Sequence, residues 1–367
     1  MAPKINPPAQ DAPADKAAAA NGKAAPLPPV PFVRGALPKI QRAKQWSHNV
    51  TLTTEPQPLP TLEVPPHGFA RSVVIRLGLN QRTGGTYSAD GLAAALSSVN
   101  FADTQGSDVI VPINGHDLKM VNKWNPSGGF SDPAILHPDP LSMYLRLPLE
   151  ISERDALGSL PNMDSASQYT VDATVGTLAD VFATDTPDVA PTLSVKAYLE
   201  AWSSPQPQDF GGRPVSPQPP ALNTTQYISK HRWNVPASGD HNFSLQRRGN
   251  LIRSLILIAR DEDGNRSDAC LPESFRFRWD GRELFDLDTD FQRYLMRERG
   301  GMTVDTGVLL LDFTHEFDGR LGAELRDSWL RTMKSSDLEV DLNGVTTAGQ
   351  ISVITVDVAP AGNVFVD

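Results

Sequence analysis

Residues 69–77 read FARSVVIRL and residues 251–259 read LIRSLILIA, two apolar runs with Arg-Ser at the same place, 182 positions apart. A chain that writes one buried-strand pattern twice is constrained to build one fold twice, provided the neighbouring segments echo in the same order. They do. SDVIVPINGHDL (107–118) aligns with ESFRFRWDGREL (273–284), with Gly115 over Gly281 at offset 166. LRLPLEISERDALG (145–158) aligns with LLDFTHEFDGRLG (310–322) at offset 164, which places Leu149 on Phe313. YTVDATVG aligns with LEVDLNGV at offset 169, Val171-Asp172 over Val340-Asp341, and LSVKAYL aligns with ISVITVD at offset 158, Leu193 over Ile351. The offsets drift where loops absorb insertions, and the colinearity predicts an internal structural duplication.

The repeated unit is built of strands. In 141–151, LSMYLRLPLEI, the residues Leu141, Met143, Leu145, Leu147, Leu149 and Ile151 alternate with Ser142, Tyr144, Arg146, Pro148 and Glu150. That period of two is a strand's and not a helix's. Pro148 on the polar phase points to an edge or a bulge, because proline has no N–H to give a central ladder. FRFRW sets Phe275, Phe277 and Trp279 on one face and Arg276 and Arg278 on the other. Helices are expected to be short: 88–99, 291–299 with Asp288 or Thr289 as its N-cap and Gly300-Gly301 as its stop, and 320–333, where Leu321, Leu325, Trp329 and Met333 form one stripe. Each copy spans roughly 145–160 residues with about eight strand candidates, which suits a Greek-key sandwich of the jelly-roll type. The fold class expected is all-β, two tandem eight-stranded jelly rolls with short loop helices.

Composition divides the chain. Residues 1–45 form a Pro/Ala-rich basic arm; the tract from Pro7 to Pro31 cannot bury enough apolar surface to offset chain entropy and is expected to be extended. Jelly roll 1 is expected at 46–202, a Pro-rich linker at 203–222, and jelly roll 2 at 223–367. The net charge of −10 splits into +5 over 1–45, −9 over 46–205 and −6 over 206–367. A basic arm on an acidic body directs the arm, through Lys4, Lys16, Lys23, Arg34, Lys39, Arg42 and Lys44, toward an anionic surface. A short helix near 39–46 is expected within it. No apolar run approaches the ~20 residues of a membrane span, and no apolar leader is expected at the N-terminus.

With the echo and the stretch GDHNFSLQRRGNLIRSLILIARDEDGNRSD leading to FRFRWDGRELFD in place, residues 46–367 resemble a viral double jelly-roll major capsid protein of the tectivirus-like type. The resemblance lies in pattern and order. It implies a structural, non-enzymatic virion protein whose homotrimers form pseudo-hexameric capsomers of an icosahedral shell. It also implies contacts with neighbouring capsomers and other capsid proteins, and an inward-facing N-terminal arm near internal membrane lipid or genome. Assembly in the host cytoplasm follows.

The search for chemistry yields no catalytic, cofactor or metal residues. A two-jelly-roll cupin needs His-x-His, and no two of the seven histidines (48, 67, 116, 137, 231, 241, 315) lie within four residues of each other. His315 sits on the apolar phase of its segment and reads as a core histidine. DLDTD (286–290) with Glu283 could supply oxygens to Ca²⁺ but reads better as a turn and helix N-terminus. Cys270, the one cysteine, excludes an intrachain disulfide and reads as a buried thiol. Two other readings share the architecture: a minor capsid or receptor-binding spike protein, and a two-jelly-roll glycan-acting amidase or lectin.

Overall fold

The computed structural model describes residues 27–80, 84–88, 90–125, 141–182, 186–208, 211–220, 225–301, 303–314, 329–333 and 336–359. The elements follow in chain order. An N-terminal segment holds β1 (Pro29–Val30) and α1 (Phe32–Gly35). The first half then contributes β2 (Pro38–Thr51), β3 (Gln57–Pro58), β4 (Leu62–Glu63), β5 (Phe69–Leu79), β6 (Leu96–Ala102), β7 (Asp108–Ile113), α2 (Gly115–Trp124), β8 (Ser142–Pro148), β9 (Leu160–Pro161), β10 (Thr170–Val171), β11 (Ala173–Val175), α3 (Leu178–Val181) and β12 (Thr192–Trp202). After β13 (Ser216–Pro217) the second half contributes β14 (Thr225–Val235), β15 (Gly239–Ser244), β16 (Leu251–Arg260), β17 (Ser274–Trp279), β18 (Arg282–Asp288), α4 (Thr289–Gly300), β19 (Val308–Asp312), β20 (Leu330–Arg331), β21 (Leu338–Val345) and β22 (Gly349–Ala359).

Each half is a jelly roll. In the first, the sheet β2-β12-β5-β8 faces a sheet in which β7, β6, β10/β11 and β4/β3 follow one another. In the second, β19-β16-β22-β14 faces β15-β21-β17-β18. The strand orders are the same under β2→β14, β5→β16, β6→β17, β7→β18, β8→β19 and β12→β22. Details repeat as well. The Leu149 N–H donates to the Arg71 carbonyl (3.1 Å), and the Phe313 N–H donates to the Arg253 carbonyl (2.9 Å). These four residues are related by the offsets 182 and 164 read from the sequence. Pro148 lies on β8, an edge strand, opposite Ser72, and Asp312 lies opposite Ser254.

The cores explain the sequence patterns. Val73, Ile75 and Leu77 of β5 meet Val99 and Phe101 of β6 between the first roll's sheets. Leu255 and Leu257 meet Phe275, Phe277, Val340 and Leu342 in the second. The unbroken run in β16 has a separate cause: Ile256 and Ile258, on its other face, are buried with Ile110 and Leu118 of the first roll and Met296 of α4. A strand buried on both faces has no need of alternation.

Several expectations are corrected. The segment 88–99 is one turn of 3-10 helix, Gly91–Ala95, running into β6, because Leu96, Val99 and Phe101 pair and bury there. The segment near 39–46 is strand β2 and not a short helix; it pairs along β12. Within 320–333, Leu330–Arg331 are strand β20 on β16, while 320–328 lie outside the described residues. The helix expected at 291–299 is α4, ending at Gly301 with φ +60°. The alignment of 107–118 on 273–284 lays β7 over β17, whereas β7 is the counterpart of β18. Leu193 falls on Gly349 rather than Ile351, since Val74 pairs Tyr198 and Ile256 pairs Ile354, an offset of 156. That slip of two residues keeps every side chain on its face.

The segment before β2 is packed. Phe32 is buried edge-on to Phe69 (ring centroids 5.1 Å) and Trp202 (6.2 Å). β1 lies parallel to β13, and the Gln206 N–H donates to the Gly35 carbonyl. Among the described residues no helix is long and apolar enough to cross a membrane.

Candidate functional site

The densest polar constellation lies where the two rolls meet. β14 joins β7 in parallel through Ile228 opposite Ile110, so one sheet continues from the first roll into the second. α2 follows β7 directly. Its N-cap Asn114 accepts from the Asp117 N–H (3.2 Å), satisfying an otherwise orphaned donor. That Asn-x-x-Asp spacing sets the helix phase that aims Asp117 at the second roll.

Asp117 is fully buried and receives Lys230 Nζ of β14 at 2.5 Å and His116 Nε2 at 3.2 Å. Burial pushes its carboxyl up, but the hydrogen bonds and charges of His116 and Lys230 outweigh that and hold it at about 2. Asp90, just before the 3-10 turn, takes Arg266 Nε at 2.9 Å and Arg260 at 3.3 Å, with His116 Nδ1 at 3.8 Å. Its carboxyl is likewise raised by burial and, on balance, lowered by His116, Arg260 and Arg266. Arg266 lies 3.8 Å from Asp305, whose other oxygen accepts from the buried Lys123 Nζ at 2.7 Å. Asp90, His116, Asp117 and Lys123 come from the first roll; Lys230, Arg260, Arg266 and Asp305 come from the second.

An open cleft of about 530 Å³ beside this network is lined by Ser88, Asn114, His116, Asp180, Arg260 and Arg266. The ion pairs bind one roll to the other in one orientation. Removing one partner of a buried ion pair is strongly destabilising, so the pairs on the buried Asp117 and Lys123 resist any sliding that would separate the rolls. The sequence offers one signal for it, the Asn114-Asp117 cap. The cross-roll partners cannot be paired without the fold.

Of the basic residues expected on the arm, Lys4, Lys16 and Lys23 lie outside the described residues. Arg34 is exposed on α1, and Lys39, Arg42 and Lys44 are exposed on β2. His315 also lies outside the described residues. Cys270 is buried, its Sγ 3.5 Å from the Ala348 carbonyl, and burial raises its pKa. Asp286 and Asp288 close β18, and α4 begins at Thr289, whose hydroxyl donates to the Pro272 carbonyl (2.5 Å). Among the described residues no group of three or more His, Cys, Asp or Glu side chains is arranged to hold a metal.

No family model and no curated protein sequence matches the chain. Solved structures do. A chain of Sulfolobus turreted icosahedral virus superposes with a TM-score of 0.63 at 13% identity, covering 89% of this chain and 92% of that one. The major capsid protein of bacteriophage PM2 gives 0.54 at 11% identity, covering 88% and 97%. The Faustovirus major capsid protein gives 0.53 at 8% identity, covering 88% and 90%. The chain has the double jelly-roll fold of viral major capsid proteins.

Proposed function

We propose that this chain is a major capsid protein, the structural subunit of an icosahedral virion shell assembled in the host cytoplasm, and that it works as a homotrimer. One observation carries the reading: two rolls of identical strand order are fixed together by a continued sheet and a buried ion-pair network. Three such chains offer six similar rolls in a ring, which is a pseudo-hexagonal tile. The likeness to capsid proteins across nearly their whole length supports it. In this reading residues 46–202 and 223–367 are the two rolls, 203–222 joins them, and β2 extends the first roll back to Pro38. Lys4, Lys16, Lys23 and Arg34, on or before the packed segment, are the cations left to meet anionic lipid or genome on the inner face.

Mass measurement and negative-stain images of the purified chain test this. A stable species of three chains with a six-lobed outline is expected, burying more than roughly 2,000 Å² per interface. A monomer at micromolar concentration and physiological salt refutes the trimer.

A further inference from the structure

The duplication allows each exposed surface of one roll to be compared with its covered counterpart in the other. Within the chain, the β7 edge of the first roll pairs β14 of the second, and α2 packs on β16 and reaches β14 through the Asp117–Lys230 ion pair. The counterparts of β7 and α2 are β18 and α4, and the counterpart of β14 is β2. Both β18 and β2 are edges: β2 ends the order β2-β12-β5-β8, and β18 ends β15-β21-β17-β18. The first roll's covered edge and the second roll's free one are therefore the same surface in two states.

Residue by residue the comparison is specific. Ile228 pairs Val356, and Ile40 pairs Glu200, the residue equivalent to Val356 at offset 156. Ile228 is fully buried opposite Ile110, whereas Ile40 is 71% exposed. Two residues on, Lys230 pairs Ile354 and Arg42 pairs Tyr198, so a cation recurs at the place where Lys230 meets α2. On the helices, the third residue after the N-cap is Asp117 in α2 and Phe291 in α4; the sixth is Met120 and Tyr294. Asp117 and Met120 are buried, while Phe291 and Tyr294 are 48% and 54% exposed and stack on each other at 6.1 Å. Leu284 on β18 is 38% exposed. β2 presents the cations Lys39, Arg42 and Lys44, and β18 presents Glu283 and Asp286, which Arg276 of β17 already pairs within the chain at 3.1 and 3.4 Å.

We infer that the β2 edge of one copy, through Ile40 and Arg42, docks on β18 and α4 of a second copy, through Leu284, Phe291 and Tyr294, repeating between chains the seam that joins the two rolls within a chain. The occupant of this surface is a second copy of this chain. The contact is head-to-tail, so it closes only as a ring, and it rests on the trimer reading above. Arg42 lands against an aromatic pair where Lys230 meets a carboxylate, a cation–π contact in place of an ion pair. The exposed apolar residues on β2, β18 and α4 thus have a use that isolated surface apolar residues do not require.

The experiment is the mass of the purified full chain and of two variants, Ile40→Asp and Phe291→Asp/Tyr294→Asp. All three positions are exposed in the single chain, so far-UV circular dichroism should not change. The natural chain is expected at three times its 39.8 kDa and each variant at one chain mass. Val189→Asp, at a 74% exposed site outside these elements, should stay trimeric. A second measurement is independent of folding losses: Ile40→Cys/Leu284→Cys under oxidising conditions should give covalent ladders up to three chains. Trimers that persist in both acidic variants with no ladder overturn this interface and leave the trimer standing. A natural chain that runs as a monomer overturns the trimer itself.

Discussion

Lys230→Met tests whether the two rolls are held by the buried network. Methionine keeps most of the side-chain volume and removes the charge, so Asp117 is left buried with His116 alone at 3.2 Å. Removing one partner of a buried pair costs about 3–5 kcal/mol, and the surviving histidine contact argues for the lower end, about 3 kcal/mol. pH supplies a second handle. The folded carboxyl of Asp117 sits at about 2 against an ordinary 3.8, so its contribution is fully present above pH 3.8 and is lost as pH falls toward 2. By linkage that window is worth on the order of 2 kcal/mol. The assay is the urea midpoint by tryptophan fluorescence at one fixed protomer concentration, at pH 7 and then stepwise from pH 5 to 2.5. The natural chain should lose stability steeply below pH 4. Lys230→Met should start lower and lose less. Lys230→Met/Asp117→Leu, which removes both charges, should recover most of the single-variant loss. A single variant within about 0.5 kcal/mol of the natural chain, the range of an ordinary surface change, would refute the argument, as would a double variant no better than the single.

Three further outcomes follow from the packing. Gly68 has φ +53°, and a Cβ there would lie 2.0 Å from the Trp202 carbonyl oxygen, so Gly68→Ala should lower stability by about 3 kcal/mol, read as a fall in Tm; an unchanged Tm contradicts the close approach. Phe32→Ala empties the notch between Phe69 and Trp202 and should release the N-terminal segment, speeding tryptic cleavage at Arg34 about a hundredfold with the global Tm little changed; equal cleavage rates contradict the docking. Deleting residues 2–26 removes Lys4, Lys16 and Lys23, each worth about 1 kcal/mol near an anionic bilayer, and should weaken binding to anionic vesicles more at low salt than at high while the oligomer survives; unchanged binding removes lipid as the arm's target.

The parts of this fold that were legible in the sequence are those where burial is one-sided or where a repeat keeps its spacing. The alternation in β8 gave its faces and, through Pro148, its edge position. Arg71-Ser72 over Arg253-Ser254 gave the true register of β5 on β16, because both strands run unbroken through the middle of a sheet. α4 was legible from its stop signal at Gly301. The segment 88–99 was not, since its alanines favour a helix while Leu96, Val99 and Phe101 gain more by pairing in β6, and tertiary burial overrides local propensity there.

The misplaced alignment of 107–118 on 273–284 has a sharper cause. It rested on Gly115 over Gly281, and those two glycines answer different physical needs. Gly281 turns the β17–β18 hairpin at φ +70° with nothing near a Cβ. Gly115 has no such φ; a Cβ there would lie 2.2 Å from the Ala93 carbonyl oxygen, so it permits α2 to sit close against the preceding turn. One letter with two causes cannot fix a register. The signal that does is the helix after each strand, GHDLKMVNKW after β7 and TDFQRYLMRERG after β18. The interface residues were hidden for a related reason. β2 and β14 correspond only through their partners β12 and β22, and β2 carries a register shift opposite Lys196/Tyr198. Ile40 and Arg42 therefore match Ile228 and Lys230 at offset 188, while Ser47 matches Arg232 at offset 185. No ungapped comparison of the two strands brings both ends into line, and the correspondence becomes visible only when hydrogen-bond partners, not letters, define equivalent positions.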